Sequence, residues 1–141
     1  MDGGLKFLVV DDSVDDVTLL RSALDPRVDI TPLESGTKAL TFLSTMQHCP
    51  FDLVVIDWRL PGVGGDHVAK EFLSSPMIQR QVPVVVLSSA LPPALNDDLR
   101  GRGALILEKP LDLEGYERLA AGLCDLAATS SRSKSTATVA N

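Results

Sequence analysis

Surplus positive charge is what this sequence lacks. Its 13 Lys and Arg are outnumbered by 19 Asp and Glu, which gives a net charge of −6 and a pI of about 4.7. A phosphate backbone is recognised by clustered Lys and Arg, so nucleic acid is excluded as an expected partner, and so is an anionic membrane surface. Long hydrophobic runs are also missing; a membrane span needs roughly 20 apolar residues. The opening "MDGGLKFLVV" has neither the basic flank nor the long apolar stretch of a secretion signal. Cysteine is sparse. Cys49 and Cys124 stand apart and follow no metal spacing, so two reduced, packing thiols in a cytoplasmic chain are expected. A length of 141 residues allows one hydrophobic core and leaves no room for a second domain of ordinary size.

What the sequence does have is a series of short apolar runs: "KFLVV" (6–10), "DLVVI" (52–56), "VPVVVL" (82–87) and "ALIL" (104–107). Near-continuous Val, Ile and Leu is how strands buried on both faces of a parallel sheet read. A weaker run, "VDITPL" (28–33), contains Pro32. Proline has no N–H to donate to a ladder, so this run is expected to be an edge strand.

Between the runs, apolar residues recur at helical spacing. The faces are Val17, Leu20 and Leu24; Leu40 and Leu43; Gly65, Val68, Ala69 and Phe72; Leu95 and Leu99; and Tyr116, Leu119, Ala120 and Leu123. Asp112 stands where an N-cap would open the last helix. Five β-α units in succession predict an α/β fold with an open five-stranded parallel sheet and helices on both faces. Five strands are too few for a closed barrel of eight. After Leu126 the chain turns small and polar, "ATSSRSKSTATVAN". The expected division is therefore a domain over 1–126 and a disordered polar tail over 127–141.

In such a sheet, ligands bind beyond the carboxyl ends of the strands. Asp11 and Asp12 follow the first run, Asp57 the third, Ser88 and Ser89 the fourth, and Lys109 the fifth. Acids also cap helices, and Asp12 with Ser13 would serve that purpose equally well. As a set, however, three carboxylates in one crevice repel. At an effective dielectric near 20, two unit charges about 4 Å apart oppose each other by roughly 4 kcal/mol. Such a cluster needs cations. Lys109 supplies one charge, and Mg²⁺, a hard ion suited to few-carboxylate sites that bind phosphoryl oxygens, would supply the rest. Asp57 then reads as a nucleophile that forms an aspartyl-phosphate.

This pattern resembles the response-regulator receiver domain. The resemblance is carried by "VVDDS" (9–13), "VVIDWRLPGVGG" (54–65), "PVVVLSSA" (83–90) and "LEKP" (107–110), and it covers about residues 5–126. It implies a flavodoxin-like three-layer sandwich with sheet order 2-1-3-4-5. It implies Asp57 as phosphoacceptor, Asp11 and Asp12 as the Mg²⁺-holding pair, and the backbone carbonyl of Arg59 as a further metal ligand. Ser88 matches the switch hydroxyl and Lys109 the phosphate-pairing lysine. A cis bond before Pro110 is common in the family. The implied phosphodonor is a sensor histidine kinase or a histidine phosphotransfer protein, and the implied output is contact with a downstream protein. "EKPLDLEGYERLA" (108–120) resembles the small stand-alone regulators of bacterial phytochrome-type kinases, some of which form homodimers through the last helix and strand. The chain is thus expected to be a bacterial, cytoplasmic signalling protein that is not an enzyme.

Three positions depart from the family pattern. Ile106 stands where an aromatic switch residue is frequent, so ring rotation there is not the readout. Arg59 and Ala90 occupy the second positions after Asp57 and Ser88, where side chains influence dephosphorylation; Arg59 is expected to reach over the site. The segment "SSALPPALNDDLRGRG" (88–103) predicts a short helix opened by Pro92 or Pro93 and closed by Gly101 or Gly103. "GVGG" (62–65) is no dinucleotide fingerprint, and His48 and His67 show no metal spacing. Trp58 is expected to pack at the crevice rim. The "DDSVDD" acids lack the ligand spacing of an EF-hand. Two alternatives are retained. One is a receiver-like adaptor that is never phosphorylated. The other is an aspartyl-phosphate phosphatase, which would ordinarily carry a second acid where Arg59 stands.

Overall fold

The computed structural model describes residues 4–79, 81–90 and 92–140, with side chains described as far as residue 130. Strands and helices alternate along the chain: β1 (Lys6–Val10), α1 (Val14–Ala23), β2 (Asp29–Leu33), α2 (Gly36–Thr45), β3 (Leu53–Asp57), α3 (Gly65–Ser74), β4 (Val84–Ser88), α4 (Pro93–Gly101), β5 (Leu105–Glu108) and α5 (Leu113–Ala140). The strands form one parallel sheet in the order β2-β1-β3-β4-β5. This is the expected architecture and order. Pro32 lies on the edge strand β2, as its missing N–H requires. Among the described residues no helix is long and apolar enough to cross a membrane.

Period-two alternation sorts the strand residues between two apolar layers. Leu8, Val10, Val54, Ile56, Val84 and Val86 face the layer completed by Ala39, Val68, Phe72 and Leu99 of α2, α3 and α4. Phe7, Val9, Leu53, Val55, Val85 and Leu87 face the layer completed by α1 and α5 through Leu20, Tyr116, Ala120 and Leu123. Each large side chain so buried contributes about 1.5–3 kcal/mol before entropy costs. The predicted helix faces therefore point inward. Proline opens α4 at its first turn, and Gly103 follows its end with a positive φ of 107°.

Several boundaries differ from expectation. Strands β3 and β4 end one residue later than their apolar runs, so Asp57 and Ser88 are the last paired residues of their strands. Parallel hydrogen bonding continues past the change from apolar to polar side chains, because the ladder needs only backbone. At the other end of the chain, α5 continues through the segment expected to be a disordered tail. Ala127 is fully buried and extends the stripe Tyr116, Ala120, Leu123, and Ser130 Oγ donates to Gln81 O at 2.6 Å. The helix and its packing thus run past residue 126. The physical reason is that each residue added to an existing helix closes one more hydrogen bond, and alanine adds no side-chain entropy cost. Residue 141 of the expected tail lies outside the described residues.

The β3–α3 loop holds the site together. Gly62 makes its turn at φ 73°, and Gly65 N donates to Trp58 O at 3.1 Å. A Cβ at Gly65 would overlap the Asp57 carbonyl oxygen and lie 2.7 Å from Trp58 Cα. Gly65→Ala is therefore expected to destabilise the fold by about 1–3 kcal/mol, read as a lower midpoint in thermal unfolding. An unchanged midpoint would mean that the loop relaxes freely and does not pin Asp57.

Candidate functional site

Each functional side chain is delivered by the end of a strand. The Asp11 N–H donates to Leu33 O at 3.0 Å, which carries the β1–β2 pairing one residue beyond the strand. Ser13 N then donates to Asp11 Oδ1 at 2.9 Å and turns that carboxylate inward, to 7% exposure. Ser13 is the N-cap of α1, its Oγ accepting from Asp16 N at 3.2 Å. The capping alternative therefore holds for Ser13, while Asp12 remains exposed beside the pocket. From β3, Asp57 is 5% exposed and its Oδ1 accepts from Arg59 N at 3.2 Å. From β4, Ser88 is buried and its Oγ accepts from Ala90 N at 3.1 Å. The Lys109 N–H donates to Ser88 O at 3.1 Å, so β5 delivers the lysine next to β4.

These elements converge. One carboxylate oxygen from each of Asp11, Asp12 and Asp57 lies within 4.8 Å of the others. Lys109 Nζ stands 2.8 Å from Asp57 Oδ2 and 3.5 Å from Asp11 Oδ2. Arg59, Ser89 and Lys109 line an opening of about 360 Å³ over Asp57, together with Asp16 and Trp58. The sequence reading did not single out Asp16, whose Oδ2 is 2.8 Å from Lys109 Nζ, nor assign a role to Ser89. The signal for Asp16 was present: it sits one turn beyond the acidic pair on a helix capped by Ser13. Among the described residues no peptide bond is cis, Lys109–Pro110 included.

The electrostatics are those of a site short of positive charge. Asp11 is pushed up to about 6, chiefly by burial and then by the Asp57 charge, against the Ser13 N–H and Lys109 that oppose the shift. Burial also works against the Lys109 charge, but its hydrogen bonds to Asp16 and Asp57 hold it above the ordinary lysine range. One ammonium does not neutralise this many carboxylates. Three converging hard oxygen donors, one of them buried against its own ionisation, fit a small divalent cation of the Mg²⁺ type.

The sequence matches the response regulator receiver domain family over residues 7–118, and the chain belongs to that family. It is a receiver domain of the two-component response regulators. Among curated proteins it is 31% identical over 125 residues to the two-component response regulator ARR7 of Arabidopsis thaliana, covering 82% of this chain and 60% of that one. It is 30% identical over 130 residues to ARR17 of the same plant, with 84% of each chain covered. The chain thus spans somewhat under two thirds of the first relative's length and most of the second's. Among solved structures, the phosphorylated cyanobacterial phytochrome response regulator RcpA superposes with a TM-score of 0.74 at 23% identity, over 85% of this chain and 91% of that one. That likeness shows the shared fold.

Charge crowding at Asp11 has a measurable consequence. Asn keeps the oxygen that accepts from Ser13 N but removes the charge. In chelator at pH 8, Asp11→Asn is expected to raise stability by about 2 kcal/mol, several degrees in the unfolding midpoint. Millimolar Mg²⁺ is expected to stabilise the wild type and to have little effect on the variant. A lower midpoint for Asp11→Asn in chelator would contradict the repulsion argument.

Proposed function

We propose that the chain accepts a phosphoryl group on Asp57 from the phosphohistidine of a sensor histidine kinase or a histidine phosphotransfer protein. A phytochrome-type kinase is the donor that the likeness to RcpA favours. The observation that carries the reading is a single one: the buried Asp57 carboxylate, with Lys109 Nζ at 2.8 Å, shares its pocket with Asp11 and Asp12.

The chemistry follows from the placement. An Asp57 oxygen attacks phosphorus, a P–O bond forms as the P–N bond breaks, and the donor imidazole leaves with that electron pair. Lys109 holds phosphoryl oxygens and offsets their charge. The Ser88 hydroxyl accepts from Ala90 N, which leaves its own proton free for a phosphoryl oxygen. Asp11, Asp12, Asp57 and the Arg59 carbonyl would hold Mg²⁺, which supplies neutralisation of the developing charge. Arg59 lines the opening above Asp57, where its guanidinium influences the lifetime of the adduct. The result passes to a downstream protein by surface contacts, with a cytoplasmic location and a homodimer through β5 and α5 as parts of the same reading. Ile106, half-buried and packed on the layer that includes Leu99 of α4, takes the place of a rotating aromatic ring.

The intact acid and lysine set disfavours the unphosphorylated adaptor, and Arg59 in place of a second acid disfavours the phosphatase. With Mg²⁺ and acetyl phosphate, intact-mass measurement is expected to show one phosphoryl adduct in the wild type and none in Asp57→Asn. An unmodified wild-type mass would support the adaptor, and continuous hydrolysis of unrelated phosphoesters would support the phosphatase.

A further inference from the structure

Lys109 is not held by the phosphoacceptor alone. Its Nζ lies 2.8 Å from Asp57 Oδ2 and equally 2.8 Å from Asp16 Oδ2, on the first turn of α1. Asp16 is fixed in place there, since its backbone N–H donates to the capping Ser13 Oγ. The Asp16 charge also acts on Tyr116, a buried tyrosine in the first turn of α5. Burial first, and then the Asp16 charge, push the ionisation of Tyr116 up to about 12. Tyr116 belongs to the same apolar layer as Leu20 and Leu24 at α1. A series of close polar contacts therefore runs from Asp57 through Lys109 to Asp16 on α1, the helix whose apolar layer includes Tyr116 of α5.

We propose that Asp16 is a positioning residue that competes with the phosphoryl group for the Lys109 ammonium, and that Tyr116 registers the outcome on α5. The inference rests on Asp57 being the phosphoacceptor. A phosphoryl group brings up to about two negative charges where a carboxylate held one. The ammonium is a compact charge on a flexible stem, so it follows the stronger anion. Its contact with Asp16 then lengthens. The Asp16 carboxylate loses its cation, and its charge, no longer offset, acts more strongly on Tyr116, which alters the packing of α5 against α1. Before transfer, Asp16 acts as a brake in two ways. It occupies Lys109, and its charge opposes the arriving phosphodonor. This route needs no aromatic residue on β5, where Ile106 stands.

The test uses the full chain with Mg²⁺ and acetyl phosphate. Asp16→Asn is expected to acquire the phosphoryl adduct about fivefold faster than the wild type, and Asp16→Glu, which keeps the charge, to stay near the wild-type rate. Asp16→Ser is a second neutral variant with the same expected acceleration, should Asp16→Asn not fold. Tyr116 is the only tyrosine in the chain, so a ring-carbon label gives one NMR signal. That signal is expected to move on phosphorylation in the wild type and to stay still in the neutral variants. A purely structural Asp16 would make those variants slower or leave them unchanged, and either result overturns the proposal. A tyrosine signal that moves equally without the Asp16 charge overturns the part assigned to Tyr116. A wild type that takes up no phosphoryl group overturns the phosphoacceptor reading and this inference with it, whereas a phosphorylated wild type with unaccelerated variants overturns the inference alone.

Discussion

One ammonium among several carboxylates is the interaction on which the rest of this molecule turns. Lys109 meets Asp57, Asp16 and Asp11 within 3.5 Å, while an Asp12 oxygen lies within 4.8 Å of those of Asp11 and Asp57. Buried charges are tolerated only when paired, and here pairing is incomplete. The unmet charge appears as the raised ionisation of Asp11. A cluster in this condition favours a cation that offsets the unmet charge. On the proposed function, the crowding of the isolated cluster and its suitability for phosphoryl chemistry have the same origin.

The sheet makes that arrangement possible. Parallel strands all end at the same edge, so residues as distant in sequence as Asp11 and Lys109 meet at β-strand tips. Both faces of the sheet are packed, with α2, α3 and α4 on one side and α1 and α5 on the other. That packing holds the tips rigidly enough for distances of 2.8 Å to be maintained. The return of the chain to Trp58 through Gly65 fixes the Asp57 backbone, because no side chain fits between α3 and the end of β3. Positioning, which supplies most of the catalysis in phosphoryl transfer, is in this sense a property of the core.

The departures from the family pattern bear on signalling more than on chemistry. Every position assigned to phosphoryl binding keeps a suitable group, whereas the aromatic position on β5 carries Ile106. The only tyrosine is instead on α5, within the field of Asp16 and Lys109. A receiver that reads its own state through α1 and α5 would present a different surface to its partner from one that rotates a ring on β5.

Alternation of Val-rich runs with helical spacing was enough to predict the α/β class. The types of residue after each run, acids after two and a lysine after another, were enough to pick out side chains that converge in one pocket. Those features are local, and they survive in the sequence because buried strands and helix faces demand particular residues at periods of two and 3.6. Three things were not local. Strand ends followed the backbone ladder, which placed Asp57 and Ser88 inside their strands. The polar end of α5 continued as helix because Ala127 found the α1–α5 layer to pack against. Asp16 looked like an ordinary first-turn acid until the fold brought Lys109 to it from 93 residues away. Composition and periodicity thus determined which elements form and at which edge the acids and the lysine gather. Only tertiary packing decided which charge meets which, because a salt bridge depends on a distance in space that no spacing along the chain records.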